Sequence, residues 1–322
     1  MFRILTLLGA LLVGVTLGAS PAIAQEYPKK QPIKIVVAHP PGGLADTATR
    51  ITAEFLQRRL GQAVVVENRP GASGTIGADY VNKAAPDGYT LLMAETSFSQ
   101  VPAVRDNLTY KIEDFTYLVR SFTLPPLVLV GPKVPVSTIP ELVAFMKANP
   151  GKARYGTTGI GAPVHLGELM FESAAGVKGV HIPYTGIGPA TIDLLAGLIE
   201  FIPGGVVPFP EGLKVVGSAG SARHPAYPNL PTLDEVGIKN ASWDIWQGFI
   251  APPNLPKPIA DRLIAEISAV LKDPEAIAKY QSAAKIAPEQ NLLAGDAFKK
   301  NVVESGKNWK TVVTREKIVV PQ

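Results

Sequence analysis

The chain has 322 residues, 46% hydrophobic and 18% charged, with a formal net charge of +4 and no cysteine. That length and composition describe a globular protein of about two domains. The absence of cysteine excludes disulfides, thiolate metal sites, iron–sulfur ligation, a cysteine nucleophile and a lipobox anchor. The basic residues are interleaved with acids and leave no nucleic-acid footprint.

Residues 1–24 carry one charge, Arg3, followed by an apolar run over 4–18 and by Ala22 and Ala24 just ahead of Gln25. This is the pattern of a cleaved signal peptide. The apolar run, about 15 residues, is shorter than the roughly 20 that span a bilayer. The expected product is a soluble periplasmic protein that starts at Gln25, beyond the reach of cytosolic ATP or NADH.

A β-branched run at 33–38 predicts a buried strand, stopped by Pro40-Pro41-Gly42-Gly43. Residues 46–60 predict an amphipathic helix with Ile51, Phe55 and Leu60 on one side. A strand at 64–68, a helix at 76–84 and a strand at 89–94 follow. The alternation restarts with strands at 127–130, 154–156 and 180–182 and helices at 139–148, 164–175 and 189–196, then two strands at 198–202 and 213–217. The chain returns to helix over 258–271, 274–284 and 297–313. Pro258 falls in a first turn, where its missing N–H costs nothing. Two such series predict an α/β fold of two domains, each a parallel sheet covered by helices.

Two loops stand where a strand ends and a helix begins. His39-Pro40-Pro41-Gly42-Gly43-Leu44-Ala45-Asp46 is the first. It belongs at the carboxyl edge of its sheet, where α/β folds bind ligands. Its glycines admit close backbone approach, and a helix start favours an anion. Thr157-Thr158-Gly159-Ile160-Gly161-Ala162 with His165 holds the matching place in the second series. Either loop alone reads first as an ordinary strand–helix turn. Two that face each other make an anion cleft. The glycine-rich stretch 71–77 fits neither the dinucleotide nor the P-loop spacing. Arg69 before it suits an anion contact or a structural ion pair. Histidines 39, 165, 181 and 224 show no H-E-x-x-H spacing, and G-x-S-x-G is absent. No cofactor, metal or catalytic residue is expected. Trp243, Trp246 and Phe249 read as core aromatics beside a strand.

Taken together, these stretches resemble the Bug (Bordetella uptake gene) family, the extracytoplasmic receptors of tripartite tricarboxylate transporters. The markers are Ile35-Val36-Val37-Ala38-His39-Pro40-Pro41-Gly42-Gly43 with Asp46, Val65-Val66-Glu67-Asn68-Arg69-Pro70-Gly71-Ala72, and Ala85-Pro86-Asp87-Gly88-Tyr89-Thr90-Leu91-Leu92. Gly159 with His165, Val180-His181-Ile182-Pro183-Tyr184, Leu230-Pro231-Thr232 and Ala251-Pro252 complete the set. They cover nearly all of the chain after residue 24. The resemblance implies a type II periplasmic-binding-protein-like α/β fold: two Rossmann-like domains, joined by crossover strands, with a ligand cleft between them. Domain 1 is expected over 25–124 plus 244–322, and domain 2 over 125–243. The implied ligand is a small organic carboxylate, a dicarboxylate or an aromatic acid. The implied partners are the membrane permease subunits of such a transporter; the receptor is expected to be a monomer with no nucleic-acid partner. A ligand sensor feeding a two-component system has the same fold, and an exported enzyme is a further alternative.

Carried over position by position, the implied ligand-binding residues of the first domain are His39, Pro41, Gly42, Gly43, Asp46, Thr96 and Ser97. Those of the second are Thr157, Thr158, Gly159, Ala162, His165, Tyr184, Thr185 and Ile202. Two departures stand out. His39 replaces the family's common Phe; its ring either meets the ligand or is a structural histidine bonded to backbone. Segment 203–212 is shorter than usual, and Ile202-Pro203 replaces the family's Phe-Asp, which implies a distal ligand end more apolar or longer than a C4 acid.

Overall fold

In the computed structural model, residues 27–206 and 209–318 are described; the expected signal peptide at 1–24 lies outside them. One sheet contains β1 (Ile33–Val37), β2 (Val64–Asn68), β3 (Thr90–Glu95), β4 (Thr116–Leu124) and β10 (Ile245–Ala251), in the order β2-β1-β3-β10-β4. The other contains β5 (Leu127–Val130), β6 (Arg154–Thr157), β7 (Val180–Pro183), β8 (Phe201–Gly205) and β9 (Lys214–Ser218), in the order β7-β6-β8-β5-β9. The two orders share one plan. Three parallel strands are followed by an antiparallel fourth, β10 or β5, each the first strand after the chain crosses from the other sheet.

Register decides which edges face. In the first sheet Gln247 pairs with Glu95 and Ile245 with Leu124. The ends of β3 and β4 and the start of β10 therefore share one edge with the end of β1. In the second, Thr157 pairs with Pro183, and Leu127 with both Gly205 and Ser218. Both crossings, 124 to 127 and 218 to 245, thus join one carboxyl edge to the other. The first has only Pro125-Pro126 between its strands, so the edges lie within about 10 Å there.

Nine helices cover the sheets among the described residues: α1 (Leu44–Leu60), α2 (Thr75–Asn82), α3 (Thr96–Val104), α4 (Ile139–Ala148), α5 (Pro163–Ala175), α6 (Ile187–Ala196), α7 (Lys257–Leu271), α8 (Pro274–Lys279) and α9 (Gly295–Arg315). Strand alternation assigns the faces. Ile35 and Val37 pack with Ile51 and Phe55 of α1 and Leu263 of α7. Val36 packs on the opposite face with Val81 of α2, Phe98 of α3 and Phe298 of α9. In the second sheet Val128 and Val130 meet α4, and Leu127 and Leu129 meet α6. A further apolar cluster joins the two halves: Trp309, Val312 and Val313 of α9 lie with Val164, Leu166 and Leu169 of α5 and with Trp243.

Most predicted elements fall within a residue or two of their places. Both sheets, expected parallel, contain an antiparallel strand. The sequence pattern passes over α3 and β4, gives no range for β10, and carries the helix from 274 to 284 although α8 stops at Lys279; β8 begins at Phe201 rather than 198. Gly197 ends α6 in the left-handed conformation, and Glu200 is held by Arg154 through its backbone N–H, Nε and Nη2, so 198–200 is a turn.

Candidate functional site

The first loop is braced from inside. Asp46, in the first turn of α1, is buried, with one oxygen accepting from Gly42 N at 2.9 Å and Arg50 Nε at 3.0 Å, and the other from Asn68 Nδ2 at 2.9 Å. Arg50 also donates to Asn68 Oδ1 at 2.9 Å. Burial alone would raise the Asp46 pKa, but these donors outweigh it and hold the carboxyl below its usual range. Gly42 stands at φ +85°, a conformation that suits glycine. Pro41, Gly42 and Gly43 are exposed. Gly43 precedes α1 with no side-chain cap, which leaves the first-turn N–H groups without an intrahelical partner.

His39 continues the β1–β3 register past its last pair and meets the end of β3. Its Nε2 lies 2.7 Å from Glu95 Oε1. Burial disfavours the charged ring, yet the Glu95 carboxylate wins and raises the pKa above its ordinary value. The ring is therefore paired with a carboxylate, a partner the sequence did not suggest. Ser97 Oγ also donates to Glu95 Oε1, at 3.4 Å. His39, Glu95, Ser97, Ser73 and Gly74 share one small pocket. Thr96 is buried; its hydroxyl accepts from Trp246 N at 2.9 Å and donates to Asp244 O at 3.4 Å, tying β10 to the end of β3.

The second loop is braced the same way. Thr157 Oγ1 is 2.6 Å from His181 Nε2 and accepts from Gly159 N at 3.2 Å. Gly161 N donates to His165 Nδ1 at 3.0 Å. The His165 and His181 rings stack at 3.9 Å, and Tyr155 stacks on the far side of His181 at 5.3 Å. Burial, then His181 and Lys178, push the His165 pKa down to about 4, so the ring is neutral and its Nδ1 is free to accept. Tyr184 N donates to Thr157 O at 3.0 Å, and its hydroxyl donates to Asp193 Oδ2 at 2.8 Å. Thr158 and Thr185 are exposed. Ala162 precedes α5 with no side-chain cap, and Pro163 opens the helix.

The predicted residues thus separate into braces (Asp46, Thr96, Thr157, His165) and groups left open on the two edges (Pro41, Gly43, Thr158, Thr185). The second loop is tied to the first half of the chain through Gln100 of α3, buried, whose Nε2 donates to Gly161 O. One expectation is corrected. Ile202 is fully buried in the apolar layer of Leu127, Leu129, Ala190, Leu194 and Ile199 and is a core residue. Sequence reasoning missed Glu95, Gln100 and Arg50. It also missed a cavity of about 500 Å³ beside Leu44, at the end of β4, the start of β10 and the return segment 224–226. Among the described residues no group of three or more His, Asp or Glu side chains is set to hold a metal ion, and no helix is long and apolar enough to cross a membrane.

Facing carboxyl edges joined by paired crossings define the class: a two-domain binding protein of the type II periplasmic fold. Residues 48–315 match the tripartite tricarboxylate transporter family receptor (TctC), and the chain belongs to that family. A UPF0065 protein of Agrobacterium vitis is 34% identical over 296 residues, 90% of this chain and 85% of that one. Protein BugT of Bordetella pertussis is 34% identical over 260 residues, 78% and 79% of the two chains. The periplasmic binding protein BugD superposes with a TM-score of 0.73 at 31% identity, covering 90% of this chain and 99% of that one. Rpa4515 of R. palustris with adipate superposes with a TM-score of 0.76 at 25% identity, covering 91% and 99%.

Proposed function

We propose that this chain is a periplasmic receptor that captures a small organic carboxylate between its two domains and presents it to the permease subunits of a tripartite tricarboxylate-type transporter. The observation that carries the reading is the pair of braced loops, each opening a helix without a side-chain cap, on facing sheet edges. Such helix starts present N–H groups and the positive end of the helix dipole to an anion. Adipate on Rpa4515 supports the carboxylate class. The role involves no bond making or breaking. Binding shifts an open ensemble toward a closed one by as much as the ligand prefers the closed state. The protein works as a monomer in this reading.

A thermal-shift screen of residues 25–322 against small organic acids, with sugars and amides as controls, tests it. A ligand at 100 times its Kd adds about 2.7 kcal/mol, and each kcal/mol moves the midpoint by about 2–4 °C. One class of acid is expected to stand several degrees clear. Shifts with none of the acids, or only with the uncharged controls, would overturn the assignment.

A further inference from the structure

The cavity beside Leu44 is large for a C4 acid. At about 500 Å³ it lies within the 300–1,000 Å³ usual for ligand pockets. Its walls are apolar: Leu44, Phe122, Leu124, Ile245 and Ile286. Leu44 is also the first residue of α1. The cavity therefore borders the helix start proposed above to hold a carboxylate.

Its polar features are few and unusual. Lys285, exposed, is the one charged side chain among the lining residues. His224 also lines it, with a pKa lowered by burial. His224 Nδ1 accepts from Ala226 N at 3.0 Å, which puts the proton on Nε2. That Nε2 is buried and has no hydrogen-bond partner. Gln247 lines the same cavity, is buried, and its Oε1 also lacks a partner. A buried donor and a buried acceptor left unpaired are costly unless something completes them.

We propose that this cavity takes the body of the ligand, and that the receptor selects a monocarboxylate with a ring-sized apolar body and one polar substituent, such as a hydroxyl, over C4 dicarboxylates. The proposal rests on the carboxylate-receptor reading. One carboxylate is matched by Lys285 and the α1 start. A second would enter apolar walls with no counter-charge, which is unfavourable. A substituent that accepts from His224 Nε2 or donates to Gln247 Oε1 completes a group now unpaired.

Calorimetric titration of the chain with para-hydroxybenzoate, benzoate, succinate and adipate tests this. Para-hydroxybenzoate should bind at least about tenfold tighter than succinate, and tighter than benzoate, as one hydrogen bond to a buried group warrants. Ala287→Trp, at an exposed lining position, should weaken para-hydroxybenzoate about tenfold or more with an unchanged melting temperature. Gln247→Leu and His224→Phe should narrow the preference for para-hydroxybenzoate over benzoate. Succinate binding tighter than both aromatic acids, or Ala287→Trp leaving para-hydroxybenzoate unaffected, overturns the inference and leaves the receptor reading standing. Binding of none of the four, together with a blank acid screen, overturns both.

Discussion

Asp46 is an anion next to the helix start proposed to hold a carboxylate, and its surroundings explain how that is tolerable. Its charge is answered by Arg50, and its oxygens also accept from Gly42 N and Asn68 Nδ2. The side chain shapes the loop and leaves the helix start open. Asp46→Ala removes the brace and leaves Gly42 N and Asn68 without it. A loss of about 1–3 kcal/mol of stability is expected, as for other buried groups deprived of a charged partner. Acid binding should weaken at the same time, while the chain stays folded. Urea unfolding with calorimetric titration checks both; unchanged affinity for the best acid of the screen would remove Asp46 from the site's support. The motif that contains Asp46 was legible in sequence. Its role was not, because Asn68 comes from a different strand end. His224 and Gln247 were illegible for the same reason, since they come to one cavity with Leu44 only through the second crossing.

Helix α5 and strand β7 hold the second loop through neutral histidines, and this makes the element acid-sensitive. The folded pKa of His165 is about 4, against an ordinary 6.5. The folded state therefore binds fewer protons than the unfolded one between those values, and stability falls as the pH drops through that window. His181, stacked on His165, is also held below its ordinary value by burial, and Lys178 adds positive charge nearby. Glu168 on the same helix acts oppositely. It is fully buried with both oxygens unpartnered, and burial, reinforced by Glu172, keeps its pKa well above the ordinary value. Comparing wild type with His165→Phe isolates the histidine. Near pH 7.5 the variant should be less stable by about 1–3 kcal/mol, because Gly161 N loses its acceptor. The gap should close as the pH falls from 6.5 toward 4. Denaturation midpoints across that range give the answer, and a gap independent of pH would remove His165 as the titrating group. Elements with their own periodicity, such as α5 and β6, were readable. Helix α3 was not: its sequence is hydroxyl-rich and contains Pro102, and it is held by packing between β3 and α9. Strand β4 carries Arg120 at its middle, and that charge is answered by Glu289 and Asn301, far along the chain.

At the scale of the whole molecule the cleft is asymmetric. One side is held by α9 against α5 and by Gln100 on Gly161. The other holds the cavity beside α1. Relative motion of the domains must pass through the two crossings, and these touch. Ala219 N donates to Pro126 O at 2.8 Å, and Trp243 N donates to Ala219 O at 3.0 Å. Gly220 fits against them only because it has no side chain. A Cβ there would lie 2.3 Å from Pro125 Cβ, 2.6 Å from its Cα and 2.8 Å from Asp244 Oδ1. A proline ring and a backbone atom cannot swing aside, so Gly220→Ala must push the crossings apart. Overpacking of this kind costs about 1–3 kcal/mol, which lowers the melting temperature by about 2–4 °C for each kcal/mol. Gly188→Ala is the matched control, since a Cβ there meets nothing within 4 Å and alanine suits a helix better than glycine by about 1 kcal/mol. Stability alone would not show that the crossings govern closure. Small-angle scattering with and without the best acid of the screen does: Gly188→Ala should contract as wild type does, and Gly220→Ala should contract less and bind more weakly. If Gly220→Ala contracts fully at saturating acid with unchanged affinity, domain closure does not depend on the fit of these two crossings.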